Sequence, residues 1–313
     1  VPLPKAGRRQ NRVSWSDTCL PERMLYADYA TVEEIDHQLT HGQTGPQRDE
    51  MYTNFANAAY RCRERFDHRL DRLYGPADRH RFDLFYASES AADAPTVLFF
   101  HGGGWRVSDK FFANFYAETY CPRGINFIAA SYGFMPQFGL PDIIEHARQR
   151  AEYVYRNAAA LGINPEKLVL SGNSAGAHLA ACVWETDWPK RGIDKSPYHG
   201  AILFSGIFDV FINYYSSKWT GAGWDEAQVH ACSPLFHLRP DLAPLLLFYG
   251  GDETPEFKRQ SRILHEAATT AGIPSILHEI ADTDHFSSQW VMHEPGSASS
   301  ELAIAEIARW TGA

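Results

Sequence analysis

Residues 168–180, Leu-Val-Leu-Ser-Gly-Asn-Ser-Ala-Gly-Ala-His-Leu-Ala, constrain the fold of this chain more than any other stretch. Leu168-Val169-Leu170 is an apolar run of strand length. Ala175 to Trp184 is Ala-rich and free of Pro, and reads as a helix. Between them stands Gly172-x-Ser174-x-Gly176, the pattern of a nucleophile elbow. Such a serine sits on a strained strand-to-helix turn. Small flanking residues let strand and helix pass closely, so the Oγ stands clear. The helix that opens there offers free backbone N–H groups and a positive dipole end. The pattern also occurs in ordinary Gly/Ser turns before buried helices. Its chemical reading therefore depends on whether the chain supplies a base, an acid and oxyanion donors.

Short apolar runs alternate with longer helical stretches along the rest of the chain. Thr96–Phe100, Ile125–Ala130, Leu168–Leu170, Ala201–Phe204, Pro244–Tyr249 and Ser275–Ile280 read as strands. Phe111–Tyr120, Asp142–Leu161, Ala175–Trp184, Pro255–Ala271 and Ser299–Trp310 read as helices. This order implies a mostly parallel sheet covered on both faces, with catalytic groups gathered past the strand ends. Arg81–Tyr86 alternates like a half-exposed edge strand. Residues 1–47 read as an extended arm with a short helix near Thr31–Leu39, where Thr31 and Glu34 have capping-box spacing. A Gly42–Pro46 break follows. From Arg48 to Leu73 apolar residues recur at three- and four-residue steps, which predicts one amphipathic helix. The expected division is an N-terminal arm and helical cap over 1–73 and a catalytic domain over 74–313.

Composition narrows the classes. A chain of 313 residues with 44% hydrophobic and 13% aromatic content can build a large core. Its net charge of −9 without a basic stripe argues against nucleic acid as a partner. No run reaches the length of a membrane span. Five widely spaced cysteines, an odd number without C-x-x-C, suit free thiols in a reducing, cytoplasmic setting. The start Val1-Pro2-Leu3-Pro4-Lys5 has no apolar signal core. Simple trimming is the expectation and a removed leader the alternative.

Ser174 is the candidate nucleophile, and a serine hydroxyl needs a base within reach. Among fourteen histidines, His285 is chosen because it follows the last strand on a loop. His178, one turn down the elbow helix, reads as structural. The base needs an acid to fix its tautomer. Asp252 follows its strand through a Gly-Gly turn and is the first choice, with Glu253 and Glu256 as neighbouring alternatives. Oxyanion donors are expected from Ala175 N–H and from the glycine-rich turn His101–Trp105, chiefly Gly102 and Gly103. Trp105, Tyr132, Phe134, Trp219, Trp224 and Phe286 lie near strand ends or in an aromatic-rich stretch over 208–224. They are the expected pocket walls. No metal-ligand spacing and no nucleotide-binding glycine pattern occurs, so neither metal nor cofactor is expected.

His101-Gly-Gly-Gly-Trp105, Gly172-Asn-Ser-Ala-Gly176, Asp252 and His285 together resemble the α/β-hydrolase superfamily, in its H-G-G-x-W branch. Tyr74-Gly75-Pro76, Asp83-Leu84-Phe85, Lys110, Ser174–Leu179, Ser233-Pro234-Leu235, Gly251–Phe257 and Asp284-His285-Phe286 extend this to serine-type kynurenine formamidases (arylformamidases) and related bacterial carboxylesterases. The match spans about residues 70–290. Two positions depart from formamidases: Gly104, where a bulky residue is frequent, and Asn173, where His is frequent. The resemblance implies an α/β-hydrolase fold and a serine hydrolase acting on a small, aromatic or apolar ester or aryl amide through an acyl-enzyme. A general carboxylesterase is the alternative within the class. A non-catalytic ligand binder on the same fold is the alternative outside it, although such proteins usually lose a triad member. A homo-oligomer is compatible with the sequence, which does not set the oligomeric state.

Overall fold

The computed structural model describes residues 24–40, 46–88, 91–294 and 296–313. Eight strands form one sheet: β1 (His68–Leu73), β2 (Arg81–Phe85), β3 (Thr96–Phe100), β4 (Asn126–Ala130), β5 (Leu168–Asn173), β6 (Tyr198–Phe204), β7 (Leu245–Gly250) and β8 (Ser275–Ile280). Their order is β1-β2-β4-β3-β5-β6-β7-β8. β1–β2 and β2–β4 are antiparallel, and every other pairing is parallel. The strands β3, β4, β5 and β7 are buried at every position, as continuous apolar runs in a two-faced sheet must be.

Two cores fill the faces. One packs the helices Leu140–Arg156, Ala175–Trp184 and Pro255–Thr270 against Leu98, Leu170, Leu203 and Leu247. The other packs the helices Pro46–Arg65 and Ala298–Thr311 against Val97, Phe127, Val169 and Leu246. Successive strand residues alternate between the two cores, which is the period-two pleat expressed as burial.

Three expectations change. The helix expected over Arg48–Leu73 ends at Arg65, and His68–Leu73 joins the sheet as β1. Leu70 continues the three-to-four spacing by coincidence. The charged run His-Arg-Leu-Asp-Arg-Leu is an exposed edge strand, as charges on an edge discourage further pairing. β2 is consequently not an edge: β1 covers it, and its positions beyond Arg81 are buried. Buried Lys110 secures this margin, with Nζ 2.8 Å from Asp83 Oδ1 and 2.9 Å from Asp71 Oδ1. Residues 110–120 form a 3-10 stretch followed by one short α-turn rather than a single α-helix. An additional helix, Ser287–His293, follows the His285 loop.

The short N-terminal helix is Val32–Gln38, and the capping box between Thr31 and Glu34 is formed. The extended arm and most of the Gly42–Pro46 break fall on residues outside the described ones. Cys62, Cys121, Cys182 and Cys232 are buried and unpaired. No helix among the described residues is long and apolar enough to cross a membrane.

Candidate active site

β5 runs into the helix Ala175–Trp184 through Ser174, whose backbone stands at φ 54°, ψ −125°. A non-glycine residue there is strained, and strain of this kind collects at functional positions. The flanking glycines are compulsory. A Cβ on Gly172 would strike the Gly176 carbonyl, and one on Gly176 would strike the Phe100 carbonyl. The Ser174 N–H donates to Phe204 O at 2.8 Å, which anchors the elbow to β6.

His285 is buried, on the loop after β8. Its Nδ1 lies 2.5 Å from Glu253 Oε1. Glu253 Oε2 accepts from Ser205 Oγ and from Gly250 N–H, both at 2.9 Å. The carboxylate that meets His285 is therefore Glu253 and not Asp252. Asp252 is exposed, and its N–H donates to Thr283 O at 2.9 Å. The turn after β7 sends Asp252 outward and the next side chain inward.

The His101–Trp105 turn lies over the elbow. Gly102 N–H does not point into open space, because it donates to Asn173 Oδ1 at 2.9 Å. A Cβ on Gly102 would come within 2.7 Å of Asn173 Nδ2, so this glycine is needed for close approach. Gly103 and Gly104 follow at φ 110° and φ 58°. Among the described residues no group accepts the N–H of Gly103, Gly104 or Ala175. Trp105 Nε1 donates to His178 Nδ1 at 3.2 Å, and His178 Nε2 meets Cys232 O at 2.7 Å. These bonds define a neutral imidazole with its proton on Nε2. Burial agrees, pushing the His178 pKa down to about 4. His101 is likewise held neutral by burial, at about 4, with Nδ1 2.7 Å from Gly102 O.

A cavity of about 470 Å³ opens above Ser174 and is lined by both Ser174 and His285. Of the six expected aromatic wall residues, Trp105, Trp219 and Phe286 line it. Tyr132, Phe134 and Trp224 stand one layer back. Tyr132 stacks on His101 with its OH on His101 O at 2.8 Å, Phe134 packs edge-on to Tyr132, and Trp224 stacks on Trp219. Tyr52 and Phe55 of the helix Pro46–Arg65, together with Phe112, Tyr116, Phe257 and Gln289, also line the cavity and are not among the residues expected from the sequence. Arg48, Tyr52 and Phe55 recur at i, i+4 and i+7, a single helical face, and that spacing was the available signal. Among the described residues no group of three metal-binding side chains forms.

The BD-FAE family model matches residues 82–194, from β2 through the elbow. The kynurenine formamidase of Danio rerio is 30% identical over 224 residues, covering 70% of this chain and 74% of that protein. The chain belongs to the kynurenine formamidase family. A family member from Salmo salar is 26% identical over 68% of the chain and 73% of its own length. Among solved structures, a putative thioesterase from Silicibacter sp. superposes with a TM-score of 0.74 at 24% identity, over 88% of this chain and 99% of that one. Esterase B from Lactobacillus rhamnosis gives 0.67 at 18% identity, over 85% and 95%. At those identities the two structures speak to the fold, which is that of the α/β-hydrolases.

Proposed function

We propose that this member of the kynurenine formamidase family is a serine hydrolase that cleaves small aryl amides and esters, N-formyl aryl amides among them, through an acyl-enzyme. The chain is a hydrolase of ester or amide bonds. The observation that carries the serine mechanism is the His285–Glu253 contact at 2.5 Å beside a cavity that Ser174 also lines.

Glu253 accepts a hydrogen bond from His285 Nδ1–H, which holds that proton in place and leaves Nε2 to act as the base. Ser174 gives its proton to that nitrogen and attacks the carbonyl carbon. Negative charge gathers on the carbonyl oxygen. The N–H groups of Gly103, Gly104 and Ala175, which no group among the described residues accepts, are the proposed donors, and Gly102 instead holds the loop in place through Asn173. Removing one such donor typically costs about 3–4 kcal/mol of transition-state stabilisation. The imidazolium then protonates the departing amine or alcohol. Water, deprotonated by His285, attacks the acyl-serine and restores the free hydroxyl. Trp105, Trp219, Tyr52 and Phe286 give the cavity an aromatic wall suited to a planar apolar group.

Turnover of an N-formyl aryl amine and of a short-chain aryl ester, measured side by side, tests the reading. Both are expected to be cleaved, and both activities to be lost in Ser174→Ala. Cleavage of the ester alone would favour the carboxylesterase reading, and full activity in Ser174→Ala would remove the serine mechanism.

A further inference from the structure

Among the described residues, three carboxamides line the cavity above Ser174, those of Asn173, Asn213 and Gln289, and no carboxylate does. Their oxygens are not equivalent. Asn173 Oδ1 accepts from Gly102 N–H at 2.9 Å. Asn213 Oδ1 is sealed from solvent without a partner among the described residues. Gln289 Oε1 accepts no bond among the described residues either, yet it is not sealed. Gln289 is only 8% exposed, so the face it leaves open is the one that lines the cavity.

Gln289 is also held to the loop of the base. It lies in the first turn of the helix Ser287–His293, one helical turn after His285. Its Nε2 donates to His285 O at 3.0 Å. Only the NH2 end of a carboxamide can donate to a carbonyl, so this bond fixes which end is oxygen. The side chain is thus ordered before a substrate arrives. Its free oxygen, a pure acceptor, stands on the His285 side of the cavity.

What such an acceptor does depends on the bond being cut. An aryl amide carries one hydrogen on its nitrogen. When Ser174 adds to the carbonyl carbon, that nitrogen ceases to be planar and turns its lone pair toward the imidazolium Nε2–H of His285. The proton passes to the nitrogen, the C–N bond breaks, and the acyl group stays on Ser174. The original N–H remains on the nitrogen throughout and needs an acceptor inside an aromatic-walled cavity. An ester oxygen carries no hydrogen and needs none.

We propose that Gln289 Oε1 accepts the N–H of the scissile amide, and so sets the preference of this site for aryl amides over the matching esters. This rests on the serine hydrolase reading, because it needs acyl transfer beside His285. A bond that strengthens as the nitrogen becomes tetrahedral acts on the rate of acylation more than on binding.

The test uses formanilide and phenyl formate, which differ only in N–H against O, with uncatalysed hydrolysis subtracted. The amide-to-ester ratio of kcat/KM, which reports acylation for both, is measured in the wild-type protein, Gln289→Met, Gln289→Leu and Gln289→Glu. Met and Leu remove both polar atoms. Glu keeps an acceptor oxygen and loses the donor to His285 O. The ratio is expected to fall about tenfold in the Met and Leu variants, the scale of one hydrogen bond, and to stay within about threefold of wild type in Gln289→Glu. Within-variant ratios cancel any general loss of active protein. An unchanged ratio in the Met and Leu variants overturns the proposal. So does an equal fall in Gln289→Glu, which would make Gln289 a residue that only positions His285. Cleavage of the ester alone by the wild-type protein overturns the proposal and spares the serine hydrolase. Full activity of Ser174→Ala on both substrates removes the serine hydrolase reading itself, whatever the ratios.

Discussion

Trp105 Nε1 and His178 Nδ1 are joined at 3.2 Å, and this bond ties the glycine-rich turn to the helix that carries Ser174. Together with the bond from Gly102 N–H to Asn173 Oδ1, it gives the turn two fastenings to the elbow. Both fastenings use groups within one helical turn of the serine, so loop and nucleophile move as one body.

His178→Ala removes one fastening and leaves Trp105 Nε1 and Cys232 O without partners. Unsatisfied buried groups cost roughly 1–3 kcal/mol each, so the denaturant midpoint falls. The loop loses its register on Ser174, and kcat drops about tenfold or more while KM changes less. Asn173→Ala is expected to act on kcat in the same direction through the other fastening. Steady-state kinetics beside urea melts separate the two effects. An unchanged kcat in both variants would mean that neither bond positions the donors.

Glu253→Gln should be far more damaging than Asp252→Asn. Loss of the carboxylate that orients a catalytic histidine costs about 10⁴ in kcat in the chymotrypsin case, and a loss of at least about 10³ is expected here. Asp252 is exposed, and among the described residues its side chain has no hydrogen-bond or ion-pair partner while its N–H donates to Thr283 O, so its variant stays within a few-fold of wild type. Comparing kcat for the two variants on one aryl ester decides between the adjacent acids.

Acid should destabilise the fold. His80, His101 and His178 are each held at about 4, with burial the largest cause, against about 6.5 in an unfolded chain. Their contribution is present above about pH 6.5 and is lost as the pH falls toward 4, because the unfolded chain then binds the extra protons. Buried Glu185, raised to about 7, runs the other way and partly offsets them. Its stabilising share is present below about 4.5 and disappears as the pH rises through 7. Chemical denaturation across this range should show His178→Asn with a shallower acid slope, by up to about 1.4 kcal/mol per pH unit. An identical slope would mean that His178 is not neutral in the folded protein.

Asp36 clamps the segment that carries Trp219. Its carboxylate accepts from Ser216 Oγ at 2.5 Å, from Ser217 N–H at 3.0 Å and from Ser217 Oγ. These bonds hold its pKa below the usual carboxylate value in spite of the opposing effect of burial. Asp36→Ala should release residues 216–219, raise KM severalfold and increase amide hydrogen exchange in that segment. Unaltered exchange there would show the clamp to be redundant.

How much of this was legible in the sequence follows from the range of the interactions. The elbow, the strand ends and the capping box at Thr31 are local, and their residues sit at spacings set by backbone geometry. Asp252 and Glu253 are consecutive, and only the turn after Gly250 decides which side chain faces His285. That the Gly102 N–H is already engaged was hidden for a similar reason. It depends on Asn173, 71 positions away, claiming the first N–H. β1 was obscured by a helical period that ran one step too far. Tyr52 and Arg48 share one face of the helix Pro46–Arg65, which is legible in their spacing, but that this face packs back over the cavity is a long-range contact.

The central claim is that Ser174 is the nucleophile served by His285 and Glu253. Its most direct test is peptide-level mass spectrometry after treatment with a fluorophosphonate, which bonds covalently to an activated serine. A single adduct is expected, on the peptide containing Ser174, absent from Ser174→Ala and formed much more slowly in Glu253→Gln. An adduct on another residue, or retained turnover in Ser174→Ala, would contradict it.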